Sequence, residues 1–441
     1  MNSISLSNWI SYHQTIQHAR IIKCYGRVVQ VVGLVIEGTG PRLAIGEACC
    51  IERLEGEEPV FAEVVGFREN RMLFMPLGET RGIRPGNRIV PIGSPACVQV
   101  GTDLLGRVID ALGNPIDRKG GLITEMEYPI YNPSPPPLLR KRILAPMDVG
   151  IKAINGLMTI GKGQRIAIFS GSGVGKSTLL GMIARHTTAP VNVIGLIGER
   201  GREVREFIEK DLGEEGLKRS VVVVATSDQP PLLRMRGVYL ATAIAEYFRD
   251  RGKDVLLMID SMTRFAMASR EVGLAIGEPP TSKGYTPSVF VQLPKLLERA
   301  GTTPDQGSIT GIYNVLAEGD DIQDPIVDAI RSIVDGHIVL TRELANQNHY
   351  PAIDVLGSIS RVMNDIVDGN HLSARDRLVS LMAIYKRAED LIQVGAYAPG
   401  SNFQIDEAIK KMPEISRFLR QGIDEKINFE QSLRQLMSAC A

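Results

Sequence analysis

Residues 165–184 read RIAIFSGSGVGKSTLLGMIA: a branched apolar run, a glycine-rich turn, a lysine followed by two hydroxyls, and then an apolar stretch with helical character. Strand, glycine-rich loop and helix in that order are what a phosphate-binding loop needs. Gly171, Gly173 and Gly175 let backbone N–H groups turn inward with no Cβ in the way. The helix N-terminus adds its partial positive charge. Lys176 supplies a point charge for β- and γ-phosphates, and the Ser177 hydroxyl is placed to ligate Mg²⁺. The run Gly171, Ser172, Gly173, Val174, Gly175, Lys176, Ser177 and Thr178 is therefore the expected nucleotide-binding segment. The general pattern starts on glycine where this chain has Ser170; the later glycines, Lys176 and Ser177 keep the mechanism intact.

Two carboxylates could complete such a site. The apolar run VLLMID (255–260) ends on Asp260, where a metal's outer shell would find its carboxylate. Alone, an aspartate at that place reads equally well as a helix cap. Glu199 follows VNVIGLIG and lies 23 residues beyond Lys176, room for one helix and one further strand. A carboxylate ending a strand adjacent to the loop strand could orient water in line with the γ-phosphate. Taken by itself, GLIGERGREVREF (195–207) is only the start of a solvated helix, since ER and RE pairs are common on exposed faces. For REVREF that reading stands.

The elements that must position these residues divide the chain into regions. Residues 1–20 space Leu6, Trp9, Ile10, His13 and Ile16 at three to four, which suggests a short amphipathic helix, either docked or partner-binding. From 21 to 95, short valine- and isoleucine-rich runs separated by Gly, Pro and Asn turns suggest a small β-barrel. Residues 96–150, which include YNPSPPPLLRKR (131–142), read as a stiff linker lying extended over the surface. Residues 151–365 alternate branched apolar runs with amphipathic helical stretches, the mark of an α/β domain with a mainly parallel sheet covered on both faces. Residues 366–441 read as a C-terminal helical domain.

Composition narrows the classes. Fifty basic residues balance 50 acidic ones in 441, so the chain lacks the electrostatic footprint of a dedicated nucleic-acid binder, and no nucleic-acid partner is expected. An oligonucleotide platform would want exposed aromatics among basic residues, and the barrel region has few aromatics, which argues against that role. Five scattered cysteines show no metal-ligand spacing and suit a reducing compartment. The opening MNSISLSNWISYHQT has neither a charged start nor a continuous apolar core, and no apolar run approaches the ~20 residues that span a bilayer. A soluble, cytoplasmic chain without a secretory leader is the expectation.

PMDVGIKAINGLMTIGKGQRIAIF, GSGVGKST and GLIGERGREV together resemble the rotary ATPase family. Three further segments, at 256–290, 309–326 and 335–354, resemble its flagellar and type III secretion export branch, over residues 21–435 in all. The resemblance implies a RecA-like P-loop domain with ATP and Mg²⁺ as substrate and cofactor. It implies that Glu199 polarises the attacking water, that Arg200 stabilises it and the phosphate, and that Lys176 and Ser177 keep the roles given above with Thr178 beside them. Asp260 becomes the Walker B aspartate. Arg361, in GSISR, matches an arginine finger that reaches a neighbouring subunit's nucleotide; the bland alternative is an ion-paired loop arginine. Tyr350, in HYPAID, resembles a tyrosine stacking near the adenine, a task Tyr397 of VGAYAPGS could share.

The family further implies a homohexamer that exports proteins through the flagellar type III apparatus, peripheral at the cytoplasmic face of the inner membrane. Its implied partners are a stator-like regulator at residues 1–20, a coiled-coil stalk in the central opening lined by GEPPTSKGY (277–285), export chaperones and substrates, and the membrane export gate. A noncatalytic ring subunit would carry glutamine in place of Glu199, and an RNA-translocating helicase would want a nucleic-acid grip. A proton-translocating ATP synthase catalytic subunit would carry a longer, DELSEED-bearing C-terminal domain. A virulence-type injectisome ATPase is the nearest alternative.

Overall fold

The computed structural model describes residues 24–53, 57–92, 96–304, 307–317 and 324–440. The chain divides after residue 95 into two compact units. The amphipathic stretch expected at 1–20 lies outside the described residues.

In the first unit, six strands, β1 (Gly26–Val32), β2 (Val35–Thr39), β3 (Ala48–Ile51), β4 (Val60–Arg68), β5 (Arg71–Pro76) and β6 (Arg88–Pro91), close into a barrel in the order β1-β2-β5-β4-β3-β6. Inward positions Val28, Ile36, Ile51, Val64, Phe74 and Ile89 form its core. Closure removes the edges that short β-strands would otherwise expose.

The second unit is built on β7 (Cys97–Val100), β8 (Arg107–Asp110), β9 (Met126–Pro129), β10 (Arg165–Ser170), β11 (Val191–Ile197), β12 (Ser220–Ala225), β13 (Asp254–Asp260), β14 (Gly301–Thr302), β15 (Ser308–Leu316), β16 (Gly336–Leu340) and β17 (Ile353–Ser360). The large sheet runs β17-β16-β10-β15-β13-β11-β12-β8 and is parallel from β16 to β8. Strand β17 closes one edge antiparallel to β16. The central strands are buried along nearly their whole length, as runs such as SVVVVA and VNVIGLI require when helices cover both faces.

Residues 96–150 are not a linker throughout. Strand β8 joins the edge of the large sheet, parallel to β12, and β7 pairs with β9. Four residues punctuated by glycine and proline carry almost no period of their own, and their ladder partner lies more than a hundred positions away. The proline-dense part does run largely exposed, with Leu138 99 % exposed, yet it is pinned at both ends. Upstream, Arg299 donates to the Ile130 carbonyl at 2.7 Å and forms a fully buried pair with Glu246. Downstream, Arg140 donates to the Ala300 carbonyl at 2.8 Å.

The C-terminal helices Gly369–Gln393, Phe403–Leu419 and Phe429–Cys440 pack on the short helix Lys152–Leu157. Leu378, Leu381, Ile415, Phe418 and Leu436 belong to the same apolar core as the strands, so this region is continuous with the sheet.

Candidate nucleotide site at the carboxyl end of the sheet

Strand β10 ends on Ser170, the chain turns through 171–175, and the helix Lys176–His186 begins. Gly173 and Gly175 take φ of +76° and +85°, the left-handed region that a side chain would strain. Val174 is buried in the core and anchors the loop from beneath, while Ser172 and Gly173 stand exposed and Gly171 is buried. A parallel sheet carries its ligands outside the carboxyl ends of its strands, and this loop sits there.

Lys176 Nζ reaches across the sheet to Asp260 Oδ1 at 2.8 Å and to Glu199 Oε1 at 3.4 Å. Asp260 closes β13 and is 3 % exposed. Glu199 comes two residues after β11, where Gly198 turns at φ +70° against the Arg264 side chain. Its carbonyl accepts from the Ser227 backbone at 3.0 Å, which ties the turn to the loop after β12. The strand of Glu199 is not adjacent to the loop strand: β15 and β13 lie between β11 and β10. The span is met by side-chain length, with the lysine reaching over two strands and the glutamate reaching back.

Burial resists the charge on Lys176, but Asp260 and Glu199 outweigh it and raise its pKa. Glu199 is pushed up to about 7, by burial first and then by the Asp260 charge, with Lys176 opposing. A fourth group takes part. Glu203, in the first turn of the helix Gly201–Glu206, hydrogen-bonds the Glu199 carboxyl, which raises Glu199 further and holds Glu203 below the ordinary carboxylate range. The hydrogen bond between the two acids thus moves them in opposite directions, Glu199 upward and Glu203 downward. Glu203 also accepts from the Arg200 N–H at 3.4 Å. Ser177, Glu199, Glu203 and Asp260 line one small pocket with Leu196, Val204 and Phe207.

The reading of REVREF as a solvated face is thus right for part of the segment only. Arg202–Glu206 and Arg205–Glu209 are exposed i,i+4 pairs, while Glu203 turns to Glu199 and Val204 and Phe207 are buried. The one signal for Glu203 was its spacing of four from Glu199, which puts two carboxylates within reach if the turn between them is tight. Arg200 is exposed and does not line the pocket. Thr178 bonds the Asp211 carboxyl.

Three regions of the chain match known family models. Residues 150–360 match the ATP synthase alpha/beta family, nucleotide-binding domain, residues 28–93 the beta-barrel domain of that family, and residues 367–438 the T3SS EscN ATPase C-terminal domain. The chain is 54 % identical to the flagellum-specific ATP synthase of Bacillus subtilis, over 94 % of this chain and 95 % of that protein. The chain belongs to the ATP synthase alpha/beta family. It is 52 % identical to the type 3 secretion system ATPase of Xanthomonas euvesicatoria, over 94 % of this chain and 93 % of that one. Among solved structures, the assembled ATPase EscN of enteropathogenic E. coli with its central stalk EscO superposes with a TM-score of 0.87 at 45 % identity, covering 94 % of this chain and all of that one. The chain is an ATPase of the flagellar and type III secretion branch, and its barrel, parallel sheet and C-terminal helices are that fold.

Two site residues expected in this family lie outside the lysine cluster. Arg361 follows β17, whose end pairs with the start of β16: Ser360 stands opposite Gly336, and the Arg361 N–H donates to the Asp335 carbonyl at 2.9 Å. That is the end of the sheet away from this chain's own phosphate loop, so Arg361 cannot serve the site on its own chain. Its guanidinium donates to the Arg331 carbonyl at 3.4 Å and is exposed. Tyr350 lies beside the loop, its ring 3.3 Å from where a Cβ on Gly175 would stand. The Tyr397 hydroxyl is bonded locally, to the Asn402 carbonyl and to Asp406 in the first turn of the helix Phe403–Leu419. The Tyr350 carbonyl accepts from the Gln421 N–H, and a cleft of about 520 Å³ is lined by Lys152, Ser416, Arg417, Arg420 and Glu425.

Among the described residues no group of three or more His, Cys, Asp or Glu side chains could hold a metal by itself. The oxygen donors present, the Ser177 hydroxyl and the buried Asp260 carboxylate, nevertheless fit Mg²⁺. That ion keeps several waters and takes phosphate oxygens rather than a protein cage.

Proposed function

We propose that this chain hydrolyses Mg²⁺-ATP between subunits of a homohexameric ring and that hydrolysis energises protein export through the flagellar type III apparatus. The observation that carries the reading is the convergence of Lys176, Glu199 and Asp260, from three separate elements, in one ion-paired cluster at the carboxyl end of the sheet, where the two carboxylates line a pocket with Ser177.

The triphosphate would draw the Lys176 ammonium from the carboxylates onto its β- and γ-oxygens, with backbone N–H groups of 171–178 around it. Ser177 and Asp260 would hold Mg²⁺, which neutralises charge on the β- and γ-phosphates. Glu199, freed of its proton, takes one from the water that attacks the γ-phosphorus in line; the P–O bond to ADP breaks and ADP leaves with that electron pair. Glu203 holds the Glu199 carboxyl in position. Arg361 of a neighbouring chain would supply the remaining positive charge, with Arg200 near the phosphate and Tyr350 against the base. The topology favours that reading of Arg361, because it faces away from its own chain's loop.

The EscN structure, an assembled ATPase bound to a central stalk, supports a ring with a stalk in its opening here, against residues 277–285. A stator-like regulator would dock at residues 1–20, and chaperones, substrates and the export gate at the ring. No helix among the described residues is long and apolar enough to cross a membrane; the proposed place is the cytoplasmic face of the inner membrane. The relative from Xanthomonas, almost as similar as the flagellar one, favours a virulence-type injectisome ATPase as the second reading. ATPase rate per chain measured against chain concentration tests the ring: the rate should fall steeply on dilution to monomer, and a flat profile contradicts it.

A further inference from the structure

The strand between the phosphate-loop strand and the Asp260 strand carries a buried amide whose partners explain the serine at position 170. Asn314 lies on β15, directly opposite Asp260 in the parallel ladder, and is fully buried. Its Nδ2 donates to Asp260 Oδ1 at 2.7 Å, and its Oδ1 accepts from the Ser170 hydroxyl at 3.4 Å. Ser170 is 2 % exposed. The amide has one possible orientation here. Asp260 Oδ1 already accepts from the Lys176 ammonium, so the NH₂ faces it; the carbonyl then faces Ser170, which must donate.

Asn314 and Lys176 both bond the same oxygen of Asp260, at 2.7 and 2.8 Å. Two donors on one oxygen fix the plane of a carboxylate and hence the direction of its other oxygen. When a nucleotide draws Lys176 away, Asn314 is the donor that remains. We propose that Asn314 is a positioning residue that aims Asp260 at the metal of Mg²⁺-nucleotide, and that Ser170 sets the Asn314 amide for that task. A glycine at 170 would leave the Asn314 carbonyl without this donor, buried and unpaired. The proposal rests on the Mg²⁺-nucleotide reading of the site.

The test is equilibrium binding of a fluorescent ADP analogue to the full chain, with Mg²⁺ and with EDTA. Wild type should bind more tightly with Mg²⁺. Asn314→Ala should lose ~10–100-fold of that Mg²⁺-dependent gain, the usual cost of removing an outer partner of a metal ligand, while affinity in EDTA stays within about twofold. Ser170→Ala should lose a smaller part, and the double variant should be no worse than Asn314→Ala alone. Equal weakening with and without Mg²⁺, an unchanged Mg²⁺ gain, or additive losses in the double variant would overturn the proposal. Should Asn314→Ala not fold, Ser170→Ala decides by the same ratio. A wild type indifferent to Mg²⁺ defeats the metal reading itself, and this assignment with it.

Discussion

Lys176 Nζ stands 2.8 Å from Asp260 Oδ1 and 3.4 Å from Glu199 Oε1, so one ammonium balances two carboxylates, one ending β13 and one in the turn after β11. All three side chains are 15 % exposed or less, which puts the trio in a medium where an unmatched charge is costly. Lys176→Met should therefore destabilise the chain by ~3–5 kcal/mol at pH 8, the cost of breaking a buried pair. The loss should shrink toward pH 5, where Glu199 holds its proton. Denaturant unfolding at the two pH values measures both.

Glu199→Gln should stabilise the protein at alkaline pH. The folded pKa of Glu199 is raised from 4.5 to about 7, so between these values the folded state keeps a proton that the unfolded state has lost. Stability from this group is fully present below pH 4.5 and is lost as pH rises through 7. Glutamine has nothing to lose. The variant should match wild type near pH 4.5 and exceed it above pH 7, by at most roughly 3 kcal/mol. A pH series of melting temperatures reads the difference, and equal curves would contradict the burial argument.

The same shift sets the pH dependence of rate. A base must be deprotonated to act, so kcat/KM should rise with pH through about 7, the Glu199 value in the free enzyme. Because Glu203 raises Glu199, Glu203→Gln should move that rising limb to lower pH. A limb that stays in place would remove Glu203 from the proton balance.

Arg361→Ala should lower ATPase rate by ~10³–10⁵, the range for a phosphate-facing arginine. Position at the far end of the sheet adds a sharper expectation. Mixing Arg361→Ala chains with Glu199→Gln chains should restore activity, because one supplies an intact pocket and the other an intact arginine. In a randomly mixed ring roughly a quarter of the interfaces would be whole. No recovery on mixing argues for a role within the chain.

Much of this site was legible in the order of residues. RIAIFS–GSGVGKS–TLLGMIA is a local pattern, and the strand, loop and helix stand where their periods put them. Asp260 and Glu199 were findable because each ends an apolar run whose length matches a buried strand. What could not be read was which strands are neighbours. Hydrogen-bond ladders in a parallel sheet join residues far apart in sequence, so nothing local reveals that β15 and β13 separate β11 from β10. Glu203 was hidden because its helix carries alternating charges like any solvated face, and only the fold shows that its first turn faces Glu199. Asn314 sits in SITGIYNVL, where an apolar run conceals a buried polar side chain whose partners are 54 and 144 positions away. Strand β8 escaped because four residues hold too few repeats to show a period.

The central claim is that Glu199 takes the proton of the attacking water while Lys176 and the loop bind the nucleotide. Single-turnover hydrolysis of saturating Mg²⁺-ATP by Glu199→Gln, with bound nucleotide quantified in the same samples, tests it most directly. Hydrolysis should be ~10²–10⁴-fold slower than wild type with nucleotide occupancy unchanged. Wild-type turnover by Glu199→Gln at full occupancy would contradict it.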